Sequence, residues 1–497
     1  MLIADPIASL VGHLVSAGVE LSSEGMDLVF NGPAAALTEE IMAVMQSRKL
    51  EILTLFRQNE ARGIVKLGPT TWEQRRMEWR SRTDLNPAGY NVCIRVDLEG
   101  PVDLVRLDEI TRYLVARHEI FRSRFAFYGK HLLQEIQVPP RSVLQVLDPA
   151  TLFERDEQTV AYWCAHRGAF GFNLAAEAPV RCYYASRGGS RAVLLVTLHH
   201  IACDGWAIGC LQDEILALCR EGDNDGSCDT FVEMTPTAFA QWEVAWLDDK
   251  RVESARAFWS QELKGAVLSP KLKCTSSGLE AGGNALLLRR SINPTTVAGV
   301  GAGARSMELS EFSIYFAAFS LVLSEQSGGQ DNVVVIAVAN RTHPEHEGVI
   351  GLTRNAQPIR CAVGVADCID EVAQKLSACV QRALEFQYFP IGLIDTLAAD
   401  ATIDPKRLPI TFGYSSESEN CFRGPQITAA VHDVFLGAAR AGFSLLVRRI
   451  GAEAEAIFEF SSSHMSPDDA GYMADQYIKT LTEAADRWTA KFTQKRH

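Results

Sequence analysis

The sequence lacks the features that mark exported or membrane-spanning proteins. Its twelve cysteines form no CxxC pair and follow no regular spacing, so they do not resemble a disulfide framework. The N-terminus MLIADP has neither the basic nor the apolar region of a secretory signal. The longest aliphatic runs, such as residues 333–339, span seven residues, whereas a membrane helix needs about 20. We therefore expect a protein of the reducing cytoplasm, in which these runs form buried strands.

Positive charge is also scarce. Lysine and arginine number 48 against 61 aspartates and glutamates, which gives a formal charge of -13. Such a field repels phosphate backbones and argues against a nucleic-acid ligand. With 497 residues, of which 47% are hydrophobic and 22% charged, the composition is that of a globular protein. At roughly 150 residues per domain, the length predicts about three folding units.

Residues 1–60 have the pattern of a small separate module. Apolar residues fall on one helical face at the start, and Gly18 follows where a left-handed cap would end that helix. Residues 19–30 then alternate in the manner of two strands around the turn SSEG. Thr38 is placed to cap a second helix, and SRKLEILTLFRQ has the pattern of a third. A hairpin leaves unpaired strand edges, to which another chain can add a strand.

This order of helix, hairpin, helix and helix resembles the β-hairpin docking domains at the front of nonribosomal peptide synthetase subunits. The resemblance implies that the partner is an upstream carrier-protein subunit, bound through a short linear motif at its C-terminal tail. Arg48 and Lys49 would then suit acidic positions of that motif. Two simpler interpretations stay open: the module is a structural cap on the main domain, and the two charges lie on a solvated helix face.

A pair of histidines lies in a loop between a strand pattern and a helix pattern. The strand-like residues 191–198 lead into His199, His200 and then Asp204 and Gly205, after which helical periodicity begins. A histidine held by a rigid strand can accept a proton near neutral pH. The carboxylate of Asp204 could pair with a buried cation, and Gly205 leaves room for a substrate chain. We expect no metal site here, because adjacent side chains diverge on an extended chain and no second ligand cluster exists.

The sequence HHIACDG matches HHxxxDG, and four further segments follow in a recognisable order. These are TWEQRRMEW (71–79), RHEIFRSRF (117–125), AFAQW (238–242) and IGLTRNAQPIR (350–360). Together they resemble the condensation domains of nonribosomal peptide synthetases, relatives of chloramphenicol acetyltransferase, over nearly all of residues 68–497. The sequence departs from the family pattern at Thr71 and Glu73, in the missing Tyr and Asp of AFAQW, and at Arg354, which replaces an apolar residue.

The resemblance implies an α/β (α+β) fold. Two chloramphenicol acetyltransferase-like lobes, residues 68–235 and 236–497, would form a V-shaped pseudo-dimer with a central tunnel behind the α-β-β-α-α docking module. Residues 437–443 would contribute a latch that crosses between the lobes. Residue roles follow by the same resemblance: catalysis at His200, support from His199, Asp204, Gly205 and Arg341, and tunnel or floor positions at Trp206, Asn355 and Arg354. Asp204 would pair with Arg341, and Arg354 would either contact an anionic substrate group or lie solvated in a loop.

The implied reaction transfers an acyl chain from a phosphopantetheine thioester to an amine or hydroxyl. The enzyme itself would bind no cofactor, since the acyl group arrives on the arm of a partner carrier protein. Because no adenylation or carrier segment is present, we expect a free-standing acyltransferase. Its acceptor would be a free small molecule, and the chain would leave the assembly line as an amide or ester. Two alternatives stay open: a non-catalytic recruitment domain and an epimerisation domain of the same fold.

Overall fold

The structure is a computed structural model that describes residues 6–83, 87–220, 234–247, 249–266, 272, 285–328, 331–364, 366–397, 409–417, 421–423, 427–437, 442–462 and 465–494. The front module consists of α1 (Ile7–Ser16), β1 (Glu20–Glu24), β2 (Asp27–Asn31), α2 (Glu39–Ser47) and α3 (Lys49–Ala61). Gly18 has a φ of +83°, which ends α1, and Thr38 Oγ1 accepts the Ile41 N–H at 3.4 Å at the start of α2. The predicted order of helix, hairpin, helix and helix is confirmed.

The next part of the chain forms the N-terminal lobe and a small three-stranded sheet. Its elements are β3 (Ile64–Pro69), α4 (Trp72–Thr83), β4 (Asn91–Glu99), α5 (Leu104–Arg117), β5 (Ser123–Tyr128), β6 (His131–Gln137), β7 (Leu144–Val146), α6 (Glu157–Gly168), β8 (Val180–Gly188), β9 (Arg191–His199) and α7 (Gly205–Arg220). Strands β3, β6 and β5 form the small sheet. In the main sheet β9 is buried on both faces, because α5 and α7 pack on one side and α6 on the other.

The C-terminal half of the chain contains the following elements: α8 (Pro236–Trp246), α9 (Asp249–Glu262), β10 (Ala285–Ile292), α10 (Pro294–Ser306), α11 (Glu311–Ser327), β11 (Asn332–Val338), α12 (Pro344–Glu347), β12 (Asn355–Cys361), α13 (Ile369–Leu384), α14 (Ile391–Leu397), β13 (Ile410–Glu417), β14 (Cys421–Arg423), β15 (Thr428–Val434), β16 (Phe443–Ile450), β17 (Glu453–Ser461) and α15 (Pro467–Gln494). The sheet of the C-terminal lobe has the order β10-β17-β16-β13-β11-β12. The almost fully buried helix α11 lies at the centre of this core. The mixed α/β class expected from the sequence is confirmed.

Two strands from the C-terminal half, β14 and β15, belong to the sheet of the other lobe. The N-terminal lobe's sheet has the order β14-β15-β4-β9-β8-β7, and β15 runs antiparallel to β4 with Val431 opposite Val96. The chain therefore crosses between the lobes with β14 and β15, ahead of the expected latch at 437–443, of which residues 438–441 lie outside the described residues. The division of the lobes at residue 235 stays a prediction.

The front module is packed directly onto the N-terminal lobe. Its core includes Leu10 and Leu14 of α1 and continues into Tyr128 and Leu133 of the small sheet. Gly12 lies so close to the Tyr128 carbonyl that a Cβ there would overlap it. At the edge of this contact, Tyr128 donates its hydroxyl proton to Glu135 at 2.8 Å. The module and the small sheet thus share one apolar core.

No single helix in the described ranges is long and apolar enough to cross a membrane. The neighbouring helices α10 and α11 are long and apolar enough only when they are taken together, and they meet at a bend of 107°.

Candidate active site

The two histidines have different surroundings although they are adjacent. His199 ends β9, and its Nδ1 accepts the Ile201 N–H at 3.1 Å. Its ring lies 6.3 Å from the Tyr90 ring and 6.0 Å from that of Phe172. These contacts fix the turn, so His199 acts as a packing and hydrogen-bonding neighbour. Among the residues that the structure describes, no three His, Cys, Asp or Glu side chains are arranged to hold a metal ion.

His200 opens a short 3-10 helix, His200–Ala202, that leads away from the sheet. Its carbonyl accepts the Cys203 N–H at 3.3 Å, which closes the turn. Helix α4 meets this turn from the side, where Gln74 Nε2 donates to the Ile201 carbonyl at 3.4 Å. The sheet and α4 together hold His200 at a defined position where β9 ends, and its side chain is largely buried.

Asp204 connects this loop to the C-terminal lobe. Its Oδ1 lies 3.1 Å from Arg341 Nη2 and accepts the Ala207 N–H at 2.8 Å. Its Oδ2 accepts the N–H and the hydroxyl of Thr353 and the N–H of Arg354, each at 3.0 Å. The side chains of Asp204 and Arg341 are each only 2% exposed. Multiple donors compensate the cost of burying this carboxylate, so the loop is fixed between the lobes.

Gly205 and Trp206 follow at the start of α7. A Cβ at Gly205 would meet no atom within 4 Å, so the chain faces open space there. Trp206, expected in the tunnel or floor, is about half exposed and donates its indole N–H to the Glu347 carbonyl at 2.9 Å. This hydrogen bond joins α7 to α12 beside the Asp204 contacts. Gly205 therefore marks an open side of the loop, and Trp206 spans the two lobes at the surface.

Asn355 is buried inside the C-terminal lobe. Its Nδ2 donates to the carbonyls of Gln387 at 2.8 Å and Phe389 at 2.6 Å, while its Oδ1 accepts the Ile391 N–H at 3.2 Å. The amide thereby ties the start of β12 to the turn before α14. The amide thus fixes the backbone one residue beyond Arg354, and the expected position of Asn355 in the tunnel or floor stays a prediction.

The side chain of Arg354 points toward α4. Its Nη2 lies 3.7 Å from Glu73 Oε1, and Arg76 Nε donates to Glu73 Oε2 at 2.8 Å. Burial alone would raise the pKa of the Glu73 carboxyl, but Arg76 and Arg354, helped by Arg80, hold it below its ordinary value. Glu73 and Arg76 were not among the predicted site residues. The sequence signal that could have found them is the departure of Glu73 from its motif. The residue that it contacts, Arg354, departs from its own motif as well.

A small apolar cavity lies elsewhere in the N-terminal lobe, between the sheet and helices α5 and α7. Its volume is about 30 Å³, and its lining is almost entirely aliphatic, including Leu198, Leu114 and Ile215. A void of this size holds one or two water molecules at most. We therefore regard it as a packing void and place the candidate chemistry at the loop between the lobes.

The expected docking residues both take part in ion pairs within the front module. Arg48 Nη2 lies 2.8 Å from Glu51 Oε2, and Lys49 Nζ lies 2.8 Å from Asp27 Oδ1 at the start of β2. The Lys49 side chain is 30% exposed and its partner Asp27 81% exposed, whereas Arg48 is 12% exposed. Lys49 is thus the more accessible of the two charges and lies beside the hairpin.

Comparison with family models gives two matches that cover different parts of the chain. The model of the condensation domain matches residues 67–406, and that of the TubC N-terminal docking domain matches residues 7–58. The chain belongs to the condensation-domain family. The resemblances stated for both regions from sequence are therefore confirmed, including the docking domain in front of the condensation domain.

Curated relatives of this condensation domain are large synthetases. The phosphinothricin tripeptide synthetase PhsC of Streptomyces viridochromogenes is 25% identical over 67% of this chain and 31% of its own length. The cyclosporin synthetase simA of Tolypocladium inflatum is 24% identical over 68% of this chain and 2% of its own length. The chain thus spans less than a third of these relatives.

Solved structures share the fold at low identity. The X-domain from teicoplanin biosynthesis matches with a TM-score of 0.73 and 20% identity, over 84% of this chain and 95% of its own. The condensation domain of the monacolin K polyketide synthase MokA matches with a TM-score of 0.72 and 18% identity, over 85% and 98%. The first condensation domain of the CDA synthetase gives 0.69 and 17%, over 85% and 97%. These matches establish that the two lobes have the condensation-domain fold.

Proposed function

We propose that the chain transfers an acyl group from the phosphopantetheine thioester of a carrier protein to an amine or hydroxyl, with His200 as the catalytic residue. The observation that carries this proposal is the way Asp204 holds the His200 loop between the lobes while the adjacent Gly205 faces open space. A histidine fixed in this way suits a reaction in which positioning matters most, because a thioester is already activated. No bound cofactor is needed.

In the proposed reaction, the lone pair of the acceptor attacks the thioester carbonyl, and the C–S bond breaks as the amide or ester bond forms. His200 takes the proton of the acceptor, and that proton then passes to the departing thiolate. A hydroxyl needs this base more than an amine does, since an amine can be neutral near pH 7. The acceptor is proposed to be a free small molecule, so that transfer releases the chain from its assembly line.

The test is intact-protein mass spectrometry of an acyl-loaded carrier mixed with candidate amines and alcohols. We expect acceptor-dependent loss of the acyl group with the wild type and none with His200→Ala, at an unchanged melting temperature. His432→Ala, which alters an exposed histidine on β15, serves as the matched control. Wild-type turnover by His200→Ala would remove that histidine from the mechanism.

The same experiment distinguishes the alternatives. A non-catalytic recruitment domain leaves the carrier acylated with every acceptor. The X-domain from teicoplanin biosynthesis has this fold and has been solved as a complex with OxyB, an observation that favours this alternative. An epimerisation domain also leaves the acyl group in place but exchanges its α-proton, which deuterium incorporation from D₂O would reveal.

We further propose that the front module binds the C-terminal tail of an upstream carrier subunit as a strand along β2. In the described part of the chain β2 has β1 as its one strand neighbour, and α8 flanks β1 through the Gln241–Glu20 hydrogen bond at 3.1 Å. The remaining edge of β2 is therefore the outer one, and Lys49 lies beside it.

The docking proposal is tested with a labelled peptide that copies the tail of the carrier-bearing subunit. We expect Lys49→Glu to weaken binding about 5- to 10-fold by repelling acidic positions. Lys479→Glu on α15, far along the chain and 64% exposed, is the control for the same change of charge. Equal affinity of both variants would remove Lys49 from the docking surface.

A further inference from the structure

The group formed by Glu73, Arg76 and Arg354 is built from both halves of the molecule. Glu73 and Arg76 lie on α4, whereas Arg354 precedes β12 of the C-terminal lobe. Glu73 is buried and its carboxylate is shared by the two guanidinium groups. Two cations around one carboxylate give the group a net positive charge, in a chain whose total charge is -13.

This basic group lies next to the proposed catalytic loop on two sides. From α4, Gln74 follows Glu73 directly and reaches the Ile201 carbonyl, one residue after His200. From the C-terminal lobe, the Arg354 N–H binds Asp204, four residues after His200. The Gln74 side chain fixes α4 against the loop, and the Asp204 side chain fixes the Arg354 backbone there, so both elements that carry the guanidinium groups are tied to the His200 loop.

The side chains of this group are reachable. Arg76 is 21% exposed and Arg354 is 23% exposed, while the carboxylate between them is covered. In the condensation-domain motif that residues 350–360 resemble, the position of Arg354 is apolar, so packing at this point does not require a guanidinium. Arg76 donates both Nε and Nη2 to Glu73, so a further anion would bind chiefly to the exposed part of the Arg354 guanidinium, with the charge of Arg76 beside it.

We propose that Arg354, with Arg76 beside it, binds the carboxylate of the acceptor, which is then an amino- or hydroxycarboxylic acid. This inference rests on the proposed function and names its acceptor class. The carboxylate anchors one end of the acceptor at the basic group, and the amine or hydroxyl at the other end is directed to His200. The chemistry is unchanged by this anchor. His200 still takes the proton of the acceptor, and that proton still passes to the departing thiolate.

The test compares acids with their neutral amides as acceptors: β-alanine with β-alaninamide, and 3-hydroxybutyrate with 3-hydroxybutyramide. Binding to the full chain is measured by ligand-observed NMR, and transfer is measured by mass spectrometry with the same compounds. We expect the wild type to favour the acids about 10- to 100-fold, as hydrogen bonds to a charged group allow. Arg354→Val, which introduces the apolar family residue, should lose that preference through a raised KM for the acids.

Arg82→Leu is the matched control, because Arg82 lies on the same helix, is 61% exposed and pairs with Glu78 at 3.1 Å. It should keep the preference for acids. Equal binding of acids and amides by the wild type, or an unchanged preference in Arg354→Val at the wild-type melting temperature, would overturn the proposal. If the acids bind in a manner that depends on Arg354 but no acceptor is acylated, the anion site is supported and the acyltransferase function is refuted.

A second arm separates the acceptor carboxylate from the phosphate of the donor arm. Acyl-pantetheine, which lacks the phosphate, replaces the acyl carrier as the donor. An effect of Arg354→Val on the acids that persists with this donor supports the carboxylate site. An effect that exists only with the phosphate-bearing donor would assign the arginine to phosphopantetheine and overturn the proposal.

Discussion

The front module and the C-terminal half both join the N-terminal lobe, but through contacts of opposite chemistry. The module seam, centred on Gly12 and Tyr128, is a continuous apolar core between α1 and the small sheet. The lobe seam, centred on Asp204 and Arg341, is a buried network of charges and hydrogen bonds, with Thr353 as a further donor.

The difference between the seams matches the different tasks proposed for the two junctions. Apolar burial is non-directional, so the module seam holds a recruiting surface in place without defining an atom-level geometry. Buried charges with several donors are directional, and they lose stability steeply when one member is removed. The junction that positions His200 uses the directional chemistry.

Breaking the lobe seam should have the largest effect on stability. Asp204→Ala leaves the buried Arg341 without its carboxylate and removes the acceptor of three donors at Thr353 and Arg354. We expect a loss of about 3–5 kcal/mol in the free energy of unfolding, measured by urea denaturation, together with loss of transfer. The exposed Asp213 on α7, the helix that follows Asp204, provides the control Asp213→Ala, expected to stay within about 0.5 kcal/mol. Equal stability of the two variants would show that the network contributes little.

A buried carboxyl beside the lobe seam should make the stability of this seam depend on pH. Glu243 on α8 accepts the Trp72 N–H at 2.8 Å, and burial raises its pKa from 4.5 to about 7. The folded state therefore holds this proton more tightly than the unfolded state. The resulting stability is fully present below pH 4.5 and is lost as the pH rises to about 7.

We expect Glu243→Gln to remove a decline of about 3 kcal/mol in unfolding free energy across this pH window. Urea denaturation at several pH values measures it. The exposed Glu253 on α9 supplies the control Glu253→Gln, which should keep the wild-type slope. A wild-type slope in Glu243→Gln as well would place the titration on another group.

Crowding the module seam should have the smallest of these effects. Gly12→Ala puts a methyl group against the Tyr128 carbonyl, which should cost about 1–3 kcal/mol of unfolding free energy. Gly471→Ala on α15, where a Cβ meets open space, should instead be neutral or stabilising by up to about 1 kcal/mol. Transfer from acyl-pantetheine should be unchanged in both variants. If Gly12→Ala is as stable as Gly471→Ala, the module is attached more loosely than its contacts indicate.

Local pattern was sufficient to predict the elements near these seams. The order of the front module and the loop after β9 follow from apolar periodicity and caps such as Thr38. The contact of Asp204 with Arg341 was expected from the family resemblance and is present in the structure. The residues next to Asp204 or Arg341 in the sequence do not predict this contact, because the two side chains come from different lobes.

Contacts between distant segments could not be predicted from local pattern. The partner of β15 is β4, an edge that alternation in residues 428–434 does not specify. The contact of Glu73 with Arg354 joins two separate motif departures, each of which alone has several explanations. The continuity of the module core with Tyr128 was equally hidden, because any apolar surface satisfies the same pattern.

The strand that crosses between the lobes has a consequence for synthesis on the ribosome. Strand β4 is complete at residue 99, but its neighbour β15 begins at residue 428, so residues 100–427 must be made first. At roughly 5–20 residues per second this delay lasts roughly 15 to 65 s. Throughout that time the nascent lobe has an unpaired edge along β4, where a chaperone can bind or a neighbouring nascent chain can associate wrongly.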